Sequence, residues 1–128
     1  PTGGQWNFDH DNRKALDPAI RPPPPRAFAP DAVTREVMAL VEREFPDHFG
    51  TLDAFAWPVT REDALAALDD FIAHRLPRFG DFQDAMAEGE TTLFHALISA
   101  AMNCGLLLAR EACDAAERAF RDGDAPLN

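Results

Sequence analysis

Four polar side chains, Thr92, His95, Ser99 and Asn103, recur at offsets of three and four in a stretch with no Asp, Glu, Lys or Arg between Glu90 and Arg110. On one α-helix this spacing lines them along a single face. Phe94, Leu97, Ile98 and Ala101 then form the apolar side. A buried polar stripe has to find partners, because each unsatisfied group costs roughly 1–3 kcal/mol. Hydrogen bonds to neighbouring helices would satisfy it, and so would a bound ligand; spacing leaves both open. Thr92 and His95 fall at the expected helix start, where free backbone N–H groups and the helix dipole favour phosphate. Asp84, Glu88 and Glu90 stand just upstream and oppose an anion unless turned away. The stripe offers no nucleophile with an adjacent base.

Other chemistry is sparse. No carboxylate pair, Cys/His couple or glycine-rich phosphate loop stands out. Asp9-His10-Asp11 is at most a weak metal motif in a loop, and His48 and His74 read as surface histidines. Cys104 and Cys113 are too few for a zinc or iron–sulfur site. They read as reduced thiols rather than a disulfide scaffold.

The elements that must carry these residues are helical: an all-α fold, a small bundle of about four helices behind an extended Pro-rich N-terminal arm. Residues 1–29 have no periodicity and contain Pro22 to Pro25. Such a run is a stiff polyproline II rod of roughly 3 Å per residue, suited to an interdomain linker. Flanked by Arg21 and Arg26, it also has the form of a ligand for an aromatic-grooved adaptor domain. Residues 30–128 form the helical region.

Helix one is expected at 31–45, with Val33, Val37, Leu40, Val41 and Phe45 on one stripe and a stop at Pro46. Thr60-Arg61-Glu62-Asp63 opens helix two, 61–76, whose face is Leu65, Leu68, Phe71, Ile72 and Leu76. Helix three is expected at 91–104, ended by Gly105. Helix four is expected at 110–121, with Ala112, Ala116 and Phe120 inward.

The net charge of −10 lies mostly on this helical region, since Arg13, Lys14, Arg21 and Arg26 offset Asp9, Asp11 and Asp17 within residues 1–26. Such a surface repels phosphate backbones, so the chain alone is not expected to hold nucleic acid. The charge-free stretch is too short and too interrupted to be a membrane span, and the first residues lack the apolar core of a signal peptide. A cytoplasmic location is expected. A first residue other than methionine, Pro1, fits a piece of a larger protein.

Several ordered segments resemble one family. Gly3-Gly4-Gln5-Trp6-Asn7-Phe8-Asp9 with Asn12-Arg13-Lys14 is similar to the deoxyribodipyrimidine-photolyase-related proteins, the iron–sulfur bacterial cryptochromes and photolyases. So are Trp57-Pro58-Val59-Thr60-Arg61 and Arg78-Phe79-Gly80-Asp81-Phe82-Gln83-Asp84-Ala85-Met86. Leu93-Phe94-His95-Ala96-Leu97-Ile98-Ser99, with Asn103-Cys104-Gly105-Leu106-Leu107 behind it, continues the series.

The resemblance implies a larger protein with an α/β antenna domain and a helical domain holding FAD. Light reduces the flavin, which donates an electron to a pyrimidine (6–4) photoproduct in DNA; other members are cryptochrome blue-light receptors. This chain would supply the interdomain connector and the first helices of the flavin domain. His95 and Ser99 would contact FAD, with Phe82 and Gln83 as further contacts. The family's cluster cysteines and relay aromatics lie further C-terminal, so no iron–sulfur ligand and no catalytic residue is implied here.

The chain also departs from the family pattern. Phe82 stands where tyrosine is usual, Ala96 where serine is common and Ala109 where proline is expected. The alternative reading is a stand-alone helical protein-interaction module. Cut away from the flavin and later helices of a longer protein, apolar surface around helices three and four is expected to drive a homodimer or higher assembly. The isolated chain is expected to bind no FAD.

Overall fold

The computed structural model describes residues 1–128. It contains five α-helices and no strand: α1 (Ala32–Glu44), α2 (Arg61–His74), α3 (Leu76–Phe79), α4 (Ser99–Asn103) and α5 (Ala109–Asp122). The all-α expectation holds. None of these helices is long and apolar enough to cross a membrane.

Local chemistry accounts for the long helices. Asp31 and Thr60 cap α1 and α2 by accepting from the N–H groups of Thr34 and Asp63, which satisfies donors that have no partner inside the helix. At the start of α5 the Glu111 carboxylate accepts from the Leu108 N–H at 2.9 Å. Gly123 ends α5 in the left-handed region, with Asp124 N–H returned to the Ala119 carbonyl.

The core forms where α2, α4 and α5 meet. Ala64, Leu68 and Phe71 of α2 pack with Ile98, Ala101, Leu107 and Ala115. Alanines on α4 and α5 let the helices approach closely, which explains a core with so few large side chains. The α5 face turned inward is Ala115 and Ala119, while Phe120 is exposed and corrects the expected inward set. Likewise Leu65 is exposed, and Ala64 takes the buried place on α2.

Two further expectations fail. The helix expected over 91–104 is reduced to α4, five residues long. Leu93 and Leu97 both adopt positive φ, 46° and 58°, a conformation that breaks a right-handed helix and that bulky residues rarely accept. Thr92, His95, Ser99 and Asn103 therefore do not share one helix face, and Ser99 and Asn103 are exposed. The second concerns α1, which forms where expected but has no buried residue. Val33, Val37, Leu40 and Phe45 are all exposed, so this helix lies outside the bundle.

The arm is tied along its length to the helical body. The Lys14 backbone N–H donates to the Asp81 carbonyl, and that of Asp84 to the Asn12 carbonyl. Further along, Arg75 donates to the Pro24 carbonyl at 2.8 Å, and Phe28 N–H donates to Ala56. Polyproline II backbone has no internal hydrogen bonds, so its carbonyls are free for such contacts.

Candidate functional site

Between α2 and α4 the chain runs through α3, a turn over 80–84 and the loop 91–98, and this stretch gathers the aromatic residues. Pro77 sits at the start of α3, where a missing N–H does no harm. Phe79 then meets Phe71 edge-to-face, with ring centroids 5.7 Å apart, and its other side meets the His95 imidazole at 6.3 Å. Phe82 stacks on Phe94 at 5.3 Å with planes 24° apart. The Arg78 guanidinium lies 6.0 Å from the Phe94 ring centroid, within cation–π range.

The four residues singled out from the sequence are distributed over this stretch. Phe82 is buried against Phe94, and His95 is half-buried at the edge of Phe79. Gln83 is exposed and faces the arm, its Oε1 accepting from Asn12 Nδ2 at 3.2 Å. Ser99 is the exposed first residue of α4. Ring contacts thus bring Phe82 and His95 into neighbouring aromatic pairs, Phe82 with Phe94 and His95 with Phe79. Gln83 belongs instead to the arm contact.

Pattern reading missed the backbone. Residues 96–101 are a run in which no backbone N–H donates to an acceptor in the chain. Three of them, on Ser99, Ala100 and Ala101, open α4, where the first turn leaves donors free. The other three, on Ala96, Leu97 and Ile98, precede it in the loop where Leu97 has a φ of 58°. Unpaired backbone donors require water, side chains or a ligand. Nothing in the polar spacing reveals this, since the feature depends on two leucines whose type gives no hint of positive φ.

The acidic residues upstream are partly neutralised by the arm. Arg13 lies 2.6 Å from Asp9 and 3.6 Å from Asp84. Lys14 Nζ lies 2.7 Å from Asp81 Oδ1, which also accepts from Asn128 Nδ2 at 2.9 Å. The Lys14 hydrogen bond, helped by Asn128, holds the Asp81 carboxyl below the usual carboxylate range. Cys104 and Cys113 are free and exposed.

Two comparisons bear on this arrangement. Residues 1–57 match the family model for deoxyribodipyrimidine photo-lyase-related protein. Over all 128 residues the chain is 51% identical to a protein named (6-4) photolyase from Agrobacterium fabrum (strain C58 / ATCC 33970), and it spans 25% of that relative's length. The family match runs from the arm through α1 to Trp57, and the identity to the relative extends through the aromatic stretch and α5 to the last residue. The chain is thus similar to the deoxyribodipyrimidine photo-lyase-related proteins over residues 1–57 and, along its whole length, to about a quarter of the (6-4) photolyase.

Proposed function

We propose that this chain forms part of the FAD site of a flavin-dependent, light-driven DNA photolyase that repairs pyrimidine (6–4) photoproducts, or of a related cryptochrome photoreceptor. The observation that carries the reading is the loop leading into α4. Its free N–H groups from Ala96 to Ala101 follow the half-buried His95 directly and include that of the exposed Ser99. A diphosphate needs several converging neutral donors and little opposing charge, and this segment carries no acidic residue. The donor set fits the phosphates of FAD. His95 and Ser99 are the proposed contacts, with Phe82 supporting the loop through Phe94. Gln83 has a weaker claim because the arm already engages it.

FAD, when bound in the longer protein, supplies the photochemistry; this chain's residues bind and orient it. An iron–sulfur cluster is proposed only for the longer protein, as is contact with damaged DNA. Flavin sites of this kind enclose most of their ligand, and part of a pocket gives little affinity. The 128-residue chain alone is therefore expected to purify without flavin.

The test is made in the longer protein. Wild type is expected to carry flavin and to photoreduce it under blue light. Ser99→Ala with His95→Ala is expected to lose flavin during purification while keeping its helical content. A double variant that retains full flavin occupancy would remove these two residues from the site.

A second reading, a helical protein-interaction module, has one observation behind it. The α1 face of Val33, Val37, Leu40 and Phe45 is exposed, and a cavity of about 370 Å³ opens between α1 and Leu52, Phe55 and Val59. Stable self-association by sedimentation, in a longer protein that never holds flavin, would favour it.

A further inference from the structure

We infer that Arg21, His74 and Arg78 form a binding site for a phosphate group where the arm meets the end of α2. They line a cavity of about 420 Å³ together with Ala19, Ile20, Pro77 and Phe94. This inference is independent of the flavin reading.

The first argument is charge. The chain has 22 acidic residues and only 12 Lys and Arg, and four other cavities each have a carboxylate in their lining. Glu42 and Asp53 line one, Asp31 the α1 groove, Asp70 the hollow beside Arg75, and Asp69 and Asp124 a fourth. The Arg21–His74–Arg78 cavity has no acidic residue in its lining. At physiological salt a charge is screened beyond roughly 8 Å. The potential inside such a hollow is therefore set by its own lining more than by the net charge of −10.

The second argument is that both guanidiniums are held in place before any ligand arrives. Arg21 donates through Nη1 to the Pro18 carbonyl, and its backbone leads directly into the rigid run Pro22 to Pro25. Arg78 follows Pro77 in α3 and lies over the Phe94 ring. Each planar guanidinium keeps donors beyond those contacts, and paired arginines suit the oxygens of a phosphate. Of the carboxylates close in sequence, Asp17 accepts from the Ala19 N–H at 2.8 Å, and Asp81 is held by Lys14 and Asn128. A phosphate here would bridge arm and body.

The phosphate could belong to a nucleic-acid backbone, to a nucleotide or to free phosphate, and the experiment separates them. Side-chain resonances of Arg21, Arg78 and His74 are followed by NMR while inorganic phosphate, a mononucleotide and a short DNA duplex are titrated into the protein in turn. At least one probe is expected to shift all three residues together, weakening as salt is raised. Arg21→Gln with Arg78→Gln should lower that affinity by about tenfold or more. The charge-matched pair Arg110→Gln with Arg118→Gln, on exposed positions of α5, should leave it unchanged. Duplex binding alone identifies a polymer backbone as the source; binding of free phosphate or mononucleotide identifies a small ligand. Circular dichroism checks folding, and if the arginine pair unfolds the chain, His74→Gln replaces it as the test. No shift with any probe, or equal weakening by both arginine pairs, overturns the proposal.

Discussion

The Arg75 guanidinium joins the Pro24 carbonyl, 2.8 Å away, to the Asp70 carboxylate, 2.7 Å away, across 51 residues of sequence in the first case. Arg75 is 2% exposed, and no other charged residue is so deeply buried. Removing one partner of a buried pair leaves the other charge uncompensated, which is far worse than never having had the pair. Arg75→Ala is expected to lower stability by about 3–5 kcal/mol, read from the midpoint of urea unfolding. Adding Asp70→Asn should recover part of that loss. The single variant should also expose residues 18–26 to protease, because the arm loses its anchor. Unchanged cleavage would show that the contacts at Lys14 and Phe28 hold the arm without Arg75.

A second prediction concerns acid. Glu111 accepts from both guanidinium nitrogens of Arg61, at 2.7 Å from Nη1, and from the Leu108 N–H. The Arg61 hydrogen bonds, followed by the Leu108 N–H, lower its pKa from 4.5 to about 2. A carboxyl depressed in the folded state contributes stability that is complete above its unfolded pKa and lost as pH falls through the folded value. The contribution should therefore fade between about pH 4.5 and pH 2. Glu111→Gln is expected to be less stable than wild type at neutral pH, with the gap narrowing over that window. A gap that stays constant with pH would mean the carboxylate charge plays no part.

The Phe82–Phe94 stack supplies a third. Both rings are buried, and loss of a buried phenylalanine side chain costs about 3–5 kcal/mol. Phe82→Ala and Phe94→Ala are each expected to fall in that range. The double variant should reveal a coupling of about 0.5–1.5 kcal/mol beyond area burial. Strict additivity in the thermodynamic cycle would show that the rings merely share a neighbourhood.

These residues also show how far sequence reasoning reaches. The three long helices were legible because their signals are local: apolar periodicity, Thr60 opening α2 and Pro46 just past the end of α1. The charge-free stretch was legible as unusual but not as a loop. Helical periodicity cannot see that Leu93 and Leu97 adopt positive φ, against the local preference of leucine. Arg75 was equally invisible. A lone arginine at a helix end looks solvated until the arm folds over it, and no spacing rule links positions so far apart. Of the candidate site, the residue types were readable, but the backbone donors from Ala96 to Ala101 were not.

The apolar stripe of α1 bears on how the chain opens and closes as well as on what it touches. A helix that buries no residue draws little from the core and depends on its Asp31 cap and its own hydrogen bonds. In the free chain its amides should exchange with solvent through local fraying, many times faster than those of α2 and α5, whose protection should approach that of global unfolding. Two rates separated along one polypeptide would make unfolding of the chain less than all-or-none. In the longer protein, any surface that covers Val33, Val37 and Leu40 should slow α1 exchange selectively. The protection of this one helix would then report on whether its neighbours have docked.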